Sequence, residues 1–239
     1  MVKIVTWNCH GNFSDKFRKI KELDADVYVI QECERTTDSA DPKYREFARN
    51  GHWVGHLEKS GKGKGLGIFV KEGHKLTDNR WSMGKPGYFI SCRFDDSFNI
   101  LGAWAYADED RCYAPGVLNY LTEHKSQLNT DWVIAGDLNI DLNVKGQWAS
   151  TISQTRDIFA LLKSLGLESA YCHQYKEGLS AERRKTFYRA GKPSSHIDYI
   201  FADKSKIKRA ELLDPDVWIT RDVDHVPLVA EIDFDAQKK

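Results

Sequence analysis

The apolar residues of the chain follow the two periodicities that distinguish strands from helices. Val2–Trp7 is rich in β-branched and apolar residues, and residues 13–23 then carry large apolar side chains at three- and four-residue spacing. A second short apolar run, Val27–Ile30, follows directly. The chain is therefore predicted to open with a strand, a helix and a second strand.

Further apolar segments predict two more helices and seven more strands. One helix has Pro115 near its start and an apolar face over Val117–Leu121, and the other covers Ile158–Leu165 and ends at Gly166. The strands are predicted at His52–Leu57, Leu66–Val70, Tyr88–Phe94, Asn99–Tyr106, Trp132–Ala135, His196–Phe201 and Val226–Ile232. Several strands follow one another without a helix between them. This order favours an α/β sandwich with mixed sheets over a doubly wound parallel sheet.

Composition narrows the class of protein. The 239 residues contain no repeat, low-complexity tract or linker, so we expect one domain over residues 1–239 and a monomer. Lysine and arginine number 35, as do aspartate and glutamate, which excludes a strongly basic nucleic-acid coat but not a local basic groove. No apolar run approaches the roughly 18 residues of a membrane span, and the N-terminus has no signal-peptide pattern. Five scattered cysteines without a CxxC pair predict a reducing, cytoplasmic location.

Polar side chains that can bind a cation or move a proton stand at the ends of predicted strands. They are Asn8, Glu32, Asp137, Asn139, Asp224 and His225. Taken singly, each of these is more often a turn former or a surface histidine. As a set, they can meet if the final strand runs antiparallel to the others. Clustered acids favour a bound cation, and oxygen ligands favour Mg²⁺, Mn²⁺ or Ca²⁺ over zinc. A nearby histidine with an aspartate partner can carry charge or protons in catalysis.

Five short motifs occur at strand edges in a fixed order. They are Thr6-Trp7-Asn8, Gln31-Glu32, Gly136-Asp137-Leu138-Asn139, His196-Ile197-Asp198-Tyr199 and Asp224-His225-Val226-Pro227. Over residues 2–234 the chain resembles the endonuclease/exonuclease/phosphatase superfamily in this order of motifs, as a compact bacterial-type member. The resemblance implies a DNase I-like fold: a four-layer α/β sandwich in which two mixed sheets pack face to face with helices outside.

The resemblance also implies a metal site that takes Mg²⁺, with Mn²⁺ able to substitute. Glu32 is similar to the principal metal ligand, and Asn8 stands beside it as a ligand or as a support for that ligand. Asp224 matches a position that contacts the metal directly or through water.

The catalytic residues implied by the resemblance surround that site. Asp137 would orient the attacking water and help to deprotonate it, and Asn139 would hold the nucleophile or a phosphate oxygen. His225 would stabilise the charge that develops on phosphorus, and Asp198 would hydrogen-bond the ring of this histidine. The implied reaction is in-line attack of water on a phosphorus ester.

The chain departs from the superfamily pattern at two places. Val223 stands where a serine commonly precedes the Asp-His pair, which removes a hydroxyl but no essential ligand. The middle strand ends in Trp104-Ala105-Tyr106 instead of the Thr-His-Leu of many relatives. Either Tyr106 or Trp104 could be the residue that contacts phosphate.

Two basic segments bear on the substrate. The stretch over 61–65 alternates glycine with lysine but lacks the P-loop pattern, and a solvated hairpin is its alternative interpretation. A second run, interleaved with aromatic residues before Asp198, suits a nucleic-acid backbone, although a solvated loop is equally compatible. With the nearby histidine, its predicted substrate-binding residues are Arg183, Arg184, Lys185, Arg189 and His196.

The sequence thus predicts a metal-dependent phosphodiesterase, most simply a nuclease acting on DNA or RNA. The alternative is a phosphomonoesterase or phospholipase-C-like enzyme acting on a small phosphate ester or lipid headgroup. Against an inositol phosphatase, Ile140-Asp141 follows the third motif where those enzymes resemble Asn-Tyr-Arg. A non-catalytic binding module is a third hypothesis, and the intact set of polar residues disfavours it.

Overall fold

The strands of the protein form two large sheets, and the helices pack around them. The structure is a computed structural model that describes residues 1–59, 63–82, 87–106, 113–143 and 148–234. Its strands are β1 Val2–Asn8, β2 Val27–Cys33, β3 His52–Leu57, β4 Gly63–Val70, β5 Leu76–Asp78, β6 Tyr88–Phe94, β7 Phe98–Trp104, β8 Trp132–Asp137, β9 Leu167–Ser169, β10 Phe187–Arg189, β11 Lys192–Ser195, β12 Asp198–Asp203, β13 Ile207–Leu212 and β14 Leu228–Ile232. Its helices are α1 Phe13–Lys21, α2 Pro42–Phe47, α3 Tyr113–Glu123, α4 Ala149–Ser164, α5 Ala170–Tyr175 and α6 Pro215–Trp218, with a 3₁₀ helix at Thr36–Asp38.

The strands form two six-stranded mixed sheets and one separate hairpin. The first sheet has the order β13-β14-β1-β2-β4-β3 and the second has the order β5-β6-β7-β8-β12-β9, while β10 and β11 form a two-stranded sheet of their own. In each sheet one central pair is parallel, β1 with β2 and β7 with β8, and the other pairs are antiparallel. The predicted mixed sheets are confirmed.

Three buried clusters hold the layers together. Residues of both sheets, among them Val29, Ile68 and Ile100, share the central cluster between the sheets. The helices α1 and α2 cover the outer face of the first sheet through aromatic side chains such as Phe13. The helices α3 and α4 cover the outer face of the second sheet through aliphatic side chains such as Ile158. The predicted four-layer α/β sandwich is therefore confirmed.

Some element bounds differ from those predicted, for local reasons. The last strand begins at Leu228 rather than Val226, because Pro227 has no N–H to donate to a ladder. The strand β12 begins at Asp198 rather than His196, because the N–H groups of Ile197 and Asp198 donate to Thr186 Oγ1.

The glycine-lysine stretch is a strand where it is described. Residues 63–65 belong to β4, whereas residues 61 and 62 lie outside the described part of the chain. Among the helices that the structure describes, none is both long and apolar enough to cross a membrane.

Candidate active site

The polar residues of the five motifs meet where the ends of the two sheets come together. Asn8 ends β1 in the first sheet, and Asp137 ends β8 in the second. The side-chain amide of Asn8 donates to Asp137 Oδ2 at 3.0 Å and to Glu32 Oε1 at 3.1 Å. Asn8 Oδ1 in turn accepts from the N–H of His10 at 3.0 Å. Asn8 thus links two carboxylates across the sheets, a geometry that favours the supporting role over direct ligation.

A β-bulge turns Glu32 towards this site. Gln31 pairs with Leu66 and Cys33 with Gly65, so that Glu32 between them opposes no residue of β4. Its backbone φ is 61°, in the left-handed region, which releases the side chain from the regular alternation of the strand. Its Oε2 lies 2.7 Å from Lys64 Nζ, a contact that the sequence analysis missed.

The turn after β8 holds Asp137 and Asn139 together. Asn139, with a φ of 51°, donates its backbone N–H to Asp137 Oδ1 at 2.9 Å. Its side-chain amide donates to Ala105 O and to Asp137 Oδ2. Gly136 precedes them with a φ of 148°, and a Cβ there would lie 1.8 Å from Ala103 O. The third motif therefore needs glycine for close packing and asparagine for a left-handed turn.

His225 and Asp198 form a buried pair in the predicted arrangement. His225 Nδ1 lies 2.8 Å from Asp198 Oδ2, and both side chains are almost fully buried. Asp198 directly opposes Asp137 in the ladder between β12 and β8. The ring of Phe187 packs on the ring of His225, with centroids 5.0 Å apart. Because Nδ1 is bound to Asp198, Nε2 is the atom that His225 offers to the site.

The Asp198–His225 pair interacts electrostatically with Asp137. Ligand atoms of Asp137, Asp198 and His225 all lie within 4.8 Å of one another. Burial and the nearby Asp198 carboxylate raise the pKa of Asp137 well above its usual range. Burial opposes the charge of His225, but Asp198 and then Asp137 outweigh it and raise the pKa of the imidazole. The site therefore favours an imidazolium beside a basic carboxylate.

The donor set fits a hard divalent cation. The carboxylates of Glu32 and Asp137 converge on the Asn8 amide, and carboxylate oxygens are the ligands such cations prefer. Asp198 Oδ1 is buried with no hydrogen-bond partner among the described residues. Such an oxygen needs a water, a proton or a cation to offset its desolvation.

Asp224 lies beside His10 and His225. Asp224 Oδ1 is 3.1 Å from His10 Nδ1 and 3.9 Å from His225 Nε2. Burial disfavours the charged form of Asp224, but the neighbouring His10 and His225 together outweigh it and lower the pKa of this carboxyl. His10 belongs to no motif, and only its position two residues after Asn8 could have identified it.

The structure distinguishes Tyr106 from Trp104. Trp104 is 2% exposed and belongs to the cluster between the sheets, whereas Tyr106 is half-buried just beyond the end of β7. The ring of Tyr106 packs on His56, with centroids 5.1 Å apart, and His56 Nδ1 lies 2.8 Å from the hydroxyl of Tyr88. Of the two predicted candidates, Tyr106 is thus the one that a substrate could reach.

Some residues of the predicted basic run bind other groups of the chain. Arg183 pairs with Glu177, and the guanidinium of Arg184 donates to Leu213 O. Lys185 is half-buried beside them, while Arg189 is exposed at the end of β10. The run is therefore not one continuous basic surface.

His196 does not lie where a substrate could touch it. Its side chain is fully buried, its Nδ1 donates to Arg184 O at 2.9 Å, and its ring packs on Tyr171 and Tyr199. Burial lowers the pKa of His196 to about 4, so it is a neutral core residue at pH 7. The predicted substrate-binding role of His196 is corrected accordingly, because the motif places its side chain behind the site.

A groove leads away from the Asp224 side of the site. It has a volume of about 1000 Å³ and runs between the β10–β11 hairpin and the segment over 215–224. His10 and Asp224 line its inner end, and Arg189 and Arg221 line its walls with Phe187 and Tyr188. The hairpin is fixed to the segment of Asp224 and His225, since the N–H of Tyr188 donates to Asp224 O.

No protein-family model and no curated protein matches the chain. Solved structures match it over nearly its whole length. An AP endonuclease from Archaeoglobus fulgidus is 18% identical, with a TM-score of 0.68 over 98% of this chain and 100% of that one. The 3′ phosphatase NExo from Neisseria, bound to a product DNA hairpin, is 16% identical, with a TM-score of 0.68 over 98% and 100%. An endonuclease/exonuclease/phosphatase family protein from Leptotrichia buccalis is 16% identical, with a TM-score of 0.62 over 98% and 100%. These proteins share the fold of this chain.

Proposed function

We propose that this chain, which has the fold of the endonuclease/exonuclease/phosphatase superfamily, is a divalent-cation-dependent phosphodiesterase that cleaves DNA or RNA. One observation carries the proposal: Glu32, Asn8 and Asp137 form a continuous hydrogen-bonded network across the two sheets, and this network meets the Asp198–His225 pair. Each member of the network is a residue type that phosphoester hydrolysis requires.

Each residue of the site has a separate role in the proposed hydrolysis. Asp137, whose pKa is raised, is the group that accepts a proton from the attacking water. The amide nitrogen of Asn139 is committed to Asp137 and Ala105, so Oδ1 is the atom through which Asn139 would hold that water. His225 presents Nε2–H to the charge that develops on the phosphate oxygens, and Asp198 keeps the ring charged and oriented.

Glu32 is the residue that we assign to the cation, with Asn8 supporting it and Asp224 as a further candidate ligand. Bound Mg²⁺ or Mn²⁺ would neutralise the phosphate and stabilise the leaving oxygen. Tyr106 is assigned to the phosphate, because its half-buried side chain follows Ala105, whose carbonyl accepts from the side-chain amide of Asn139.

The groove favours a nucleic-acid substrate over a small ester. A volume of about 1000 Å³ is larger than a phosphate and a small alcohol need. Arg189 and Arg221 offer positive charge to a phosphate backbone, and Phe187 and Tyr188 offer aromatic faces to unpaired bases. The similar structures include an AP endonuclease and a phosphatase with a product DNA hairpin, which supports the same substrate class.

A phosphomonoesterase is the second candidate, because one of the similar structures is described as a 3′ phosphatase. Such an activity would use the same site and would remove a terminal phosphate without cutting the chain. It predicts release of inorganic phosphate with no shortening of a labelled strand.

The proposal is tested by incubating the purified protein with labelled single-stranded DNA, duplex DNA, abasic duplex and RNA. Each substrate is given Mg²⁺, Mn²⁺ or EDTA, and phosphate release from 3′-phosphorylated oligonucleotides and small esters is measured in parallel. We expect cation-dependent cutting of at least one nucleic acid, lost in Glu32→Ala and His225→Ala. Phosphate release without cutting would support the second candidate, and inactivity on every substrate would contradict both.

A further inference from the structure

Lys64 makes a contact that neither the five motifs nor the proposed reaction uses. Its Nζ lies 2.7 Å from Glu32 Oε2, on the carboxylate that we assign to the cation. The side chains of Lys64 and Glu32 are 29% and 17% exposed, so the pair lies in the wall of the site rather than on open surface. The cation and the lysine therefore need the same oxygen.

The strands around Lys64 hold its backbone in place. Lys64 pairs with His56 in the β3–β4 ladder, and Gly55 pairs with Gly65 one position along. A Cβ on Gly65 would lie 2.1 Å from Val54 O, and one on Gly55 would lie 2.4 Å from Lys64 O. The two backbones are thus in close contact. The glycines around Lys64 serve this packing, so the lysine projects from a rigid strand rather than from a loop.

Both oxygens of Glu32 already have donors from the chain itself. Oε1 accepts from the Asn8 amide at 3.1 Å, and Oε2 is held by Lys64. A lysine ordinarily loses its proton only at about pH 10, so Lys64 is an ammonium at neutral pH. A divalent cation bound by Glu32 must displace or repel this charge.

We propose that Lys64 is a counter-ion built into the cation site, which neutralises Glu32 in the metal-free protein and competes with the divalent cation for Glu32 Oε2. This inference rests on the proposed function, because it takes Glu32 as a ligand of the cation. Its consequence is a cation that exchanges readily with solvent, since Glu32 is never left as a bare carboxylate when the cation departs.

The direct test is the affinity of the intact protein for Mn²⁺, measured by titration calorimetry without nucleic acid. Lys64→Met keeps the length of the side chain and removes its charge. We expect this variant to bind Mn²⁺ about twofold to fivefold more tightly than the wild type, the range of a partly exposed ion pair. Lys64→Arg keeps the charge and is expected to keep an affinity close to that of the wild type.

A second readout does not depend on calorimetry. In EDTA, Lys64→Met should unfold at a lower temperature than the wild type, because Glu32 keeps its charge and loses its partner. Saturating Mn²⁺ should then raise the melting temperature of Lys64→Met by more than it raises that of the wild type.

Two controls separate the ion pair from general electrostatics. Lys59→Met removes the same charge from an exposed position five residues earlier and should leave the affinity for Mn²⁺ unchanged. Glu32→Gln, alone and combined with Lys64→Met, should abolish the tight binding of Mn²⁺ in both backgrounds.

The outcomes distinguish this inference from the proposed function. Unchanged or weaker Mn²⁺ binding by a folded Lys64→Met variant would overturn the counter-ion role, as would equal tightening by Lys59→Met. If the wild type also cleaves nucleic acid with Mn²⁺, only the counter-ion role fails. If neither the wild type nor Lys64→Met binds Mn²⁺, the counter-ion role and the proposed cation dependence fail together.

Discussion

At the scale of single residues, the site combines groups that burial alone would keep neutral. His225 is buried, yet its Nδ1 contact of 2.8 Å to Asp198 and the nearby Asp137 favour the charged ring. Asp137 is buried among other acids, which makes it a stronger base than an exposed carboxylate. The pKa values of both groups are raised, so the site holds a basic carboxylate beside an imidazole that stays charged.

Replacing Asp198 should therefore impair catalysis through His225. Asp198→Asn keeps the size of the side chain and removes the charge, so the pKa of His225 should fall and the ring should lose its fixed orientation. We expect the cleavage rate to fall about 10²–10⁴-fold at neutral pH, the usual contribution of a positioned acid or base. NMR titration of the His225 ring checks the cause, and an unchanged rate or an unchanged histidine titration would contradict it.

Gly136 should be irreplaceable for steric reasons. A Cβ at this position meets Ala103 O at 1.8 Å, and the φ of 148° disfavours any other residue. We expect Gly136→Ala to lower the free energy of unfolding by about 2 kcal/mol or more in urea denaturation. Gly178→Ala is the matched control, since its nearest neighbour to a new Cβ is Ala181 Cβ at 3.9 Å. A stability loss at Gly136 no larger than that at Gly178 would contradict the close packing.

His196 should make the protein sensitive to acid. Its pKa is about 4 in the folded protein and about 6.5 when unfolded, so the unfolded chain binds more protons between these values. Above pH 6.5, His196 is neutral in both states and does not lower the free energy of unfolding. As the pH falls from 6.5 towards 4, the free energy of unfolding decreases by about 3 kcal/mol in total. We expect His196→Gln to flatten the fall in urea midpoint between pH 6.5 and 4 relative to the wild type. Parallel profiles for the two proteins would show that the histidine does not titrate in this way.

At the scale of secondary-structure elements, the β10–β11 hairpin joins the groove to the segment of Asp224 and His225. Phe187 packs on His225, and the N–H of Tyr188 donates to Asp224 O, so the hairpin is held directly against these two residues. Arg189, at the end of β10, projects into the groove. The hairpin is therefore suited to holding the substrate strand in register with the site.

Charge reversal on the hairpin should weaken substrate binding more than the chemical step. We expect Arg189→Glu to raise KM on the order of tenfold with kcat little changed, and to reduce the salt dependence of binding. Arg183→Glu is the matched control, because Arg183 is already paired with Glu177 and does not line the groove. Equal effects of the two substitutions would assign the loss to net charge rather than to the groove.

The locations of strands and helices were predictable from the sequence where one apolar pattern dominates. The residues at which these elements end were harder to predict. The strands β1, β2 and β8 each extend past their apolar run to include the polar residue that the site uses, such as Asn8 and Asp137. The short hairpin and helix α5 have no periodic signal long enough to identify. The roles of Lys64 and His10 depend on a bulge and on contacts between residues distant in sequence, which periodicity does not encode.

At the scale of the whole molecule, the site exists because two sheets present their ends to one another. Asn8 and Glu32 come from the first sheet, while Asp137 and Asp198 come from the second. This layered fold was predictable because the order of motifs and strands resembles that of a superfamily with this fold. It could not predict which basic residues face the groove, because exposure on a loop depends on contacts with distant segments, as for Arg184 with Leu213.

The most direct test of the account is the cleavage rate of one nucleic-acid substrate across a titration of Mn²⁺, for the wild type and Glu32→Gln. Glu58→Gln is the matched control, since it removes the same charge from an exposed position outside the network. We predict saturable, Mn²⁺-dependent cleavage by the wild type and Glu58→Gln, and loss of cleavage in a folded Glu32→Gln variant. Cleavage that persists in Glu32→Gln, or that needs no divalent cation, would contradict the proposed site.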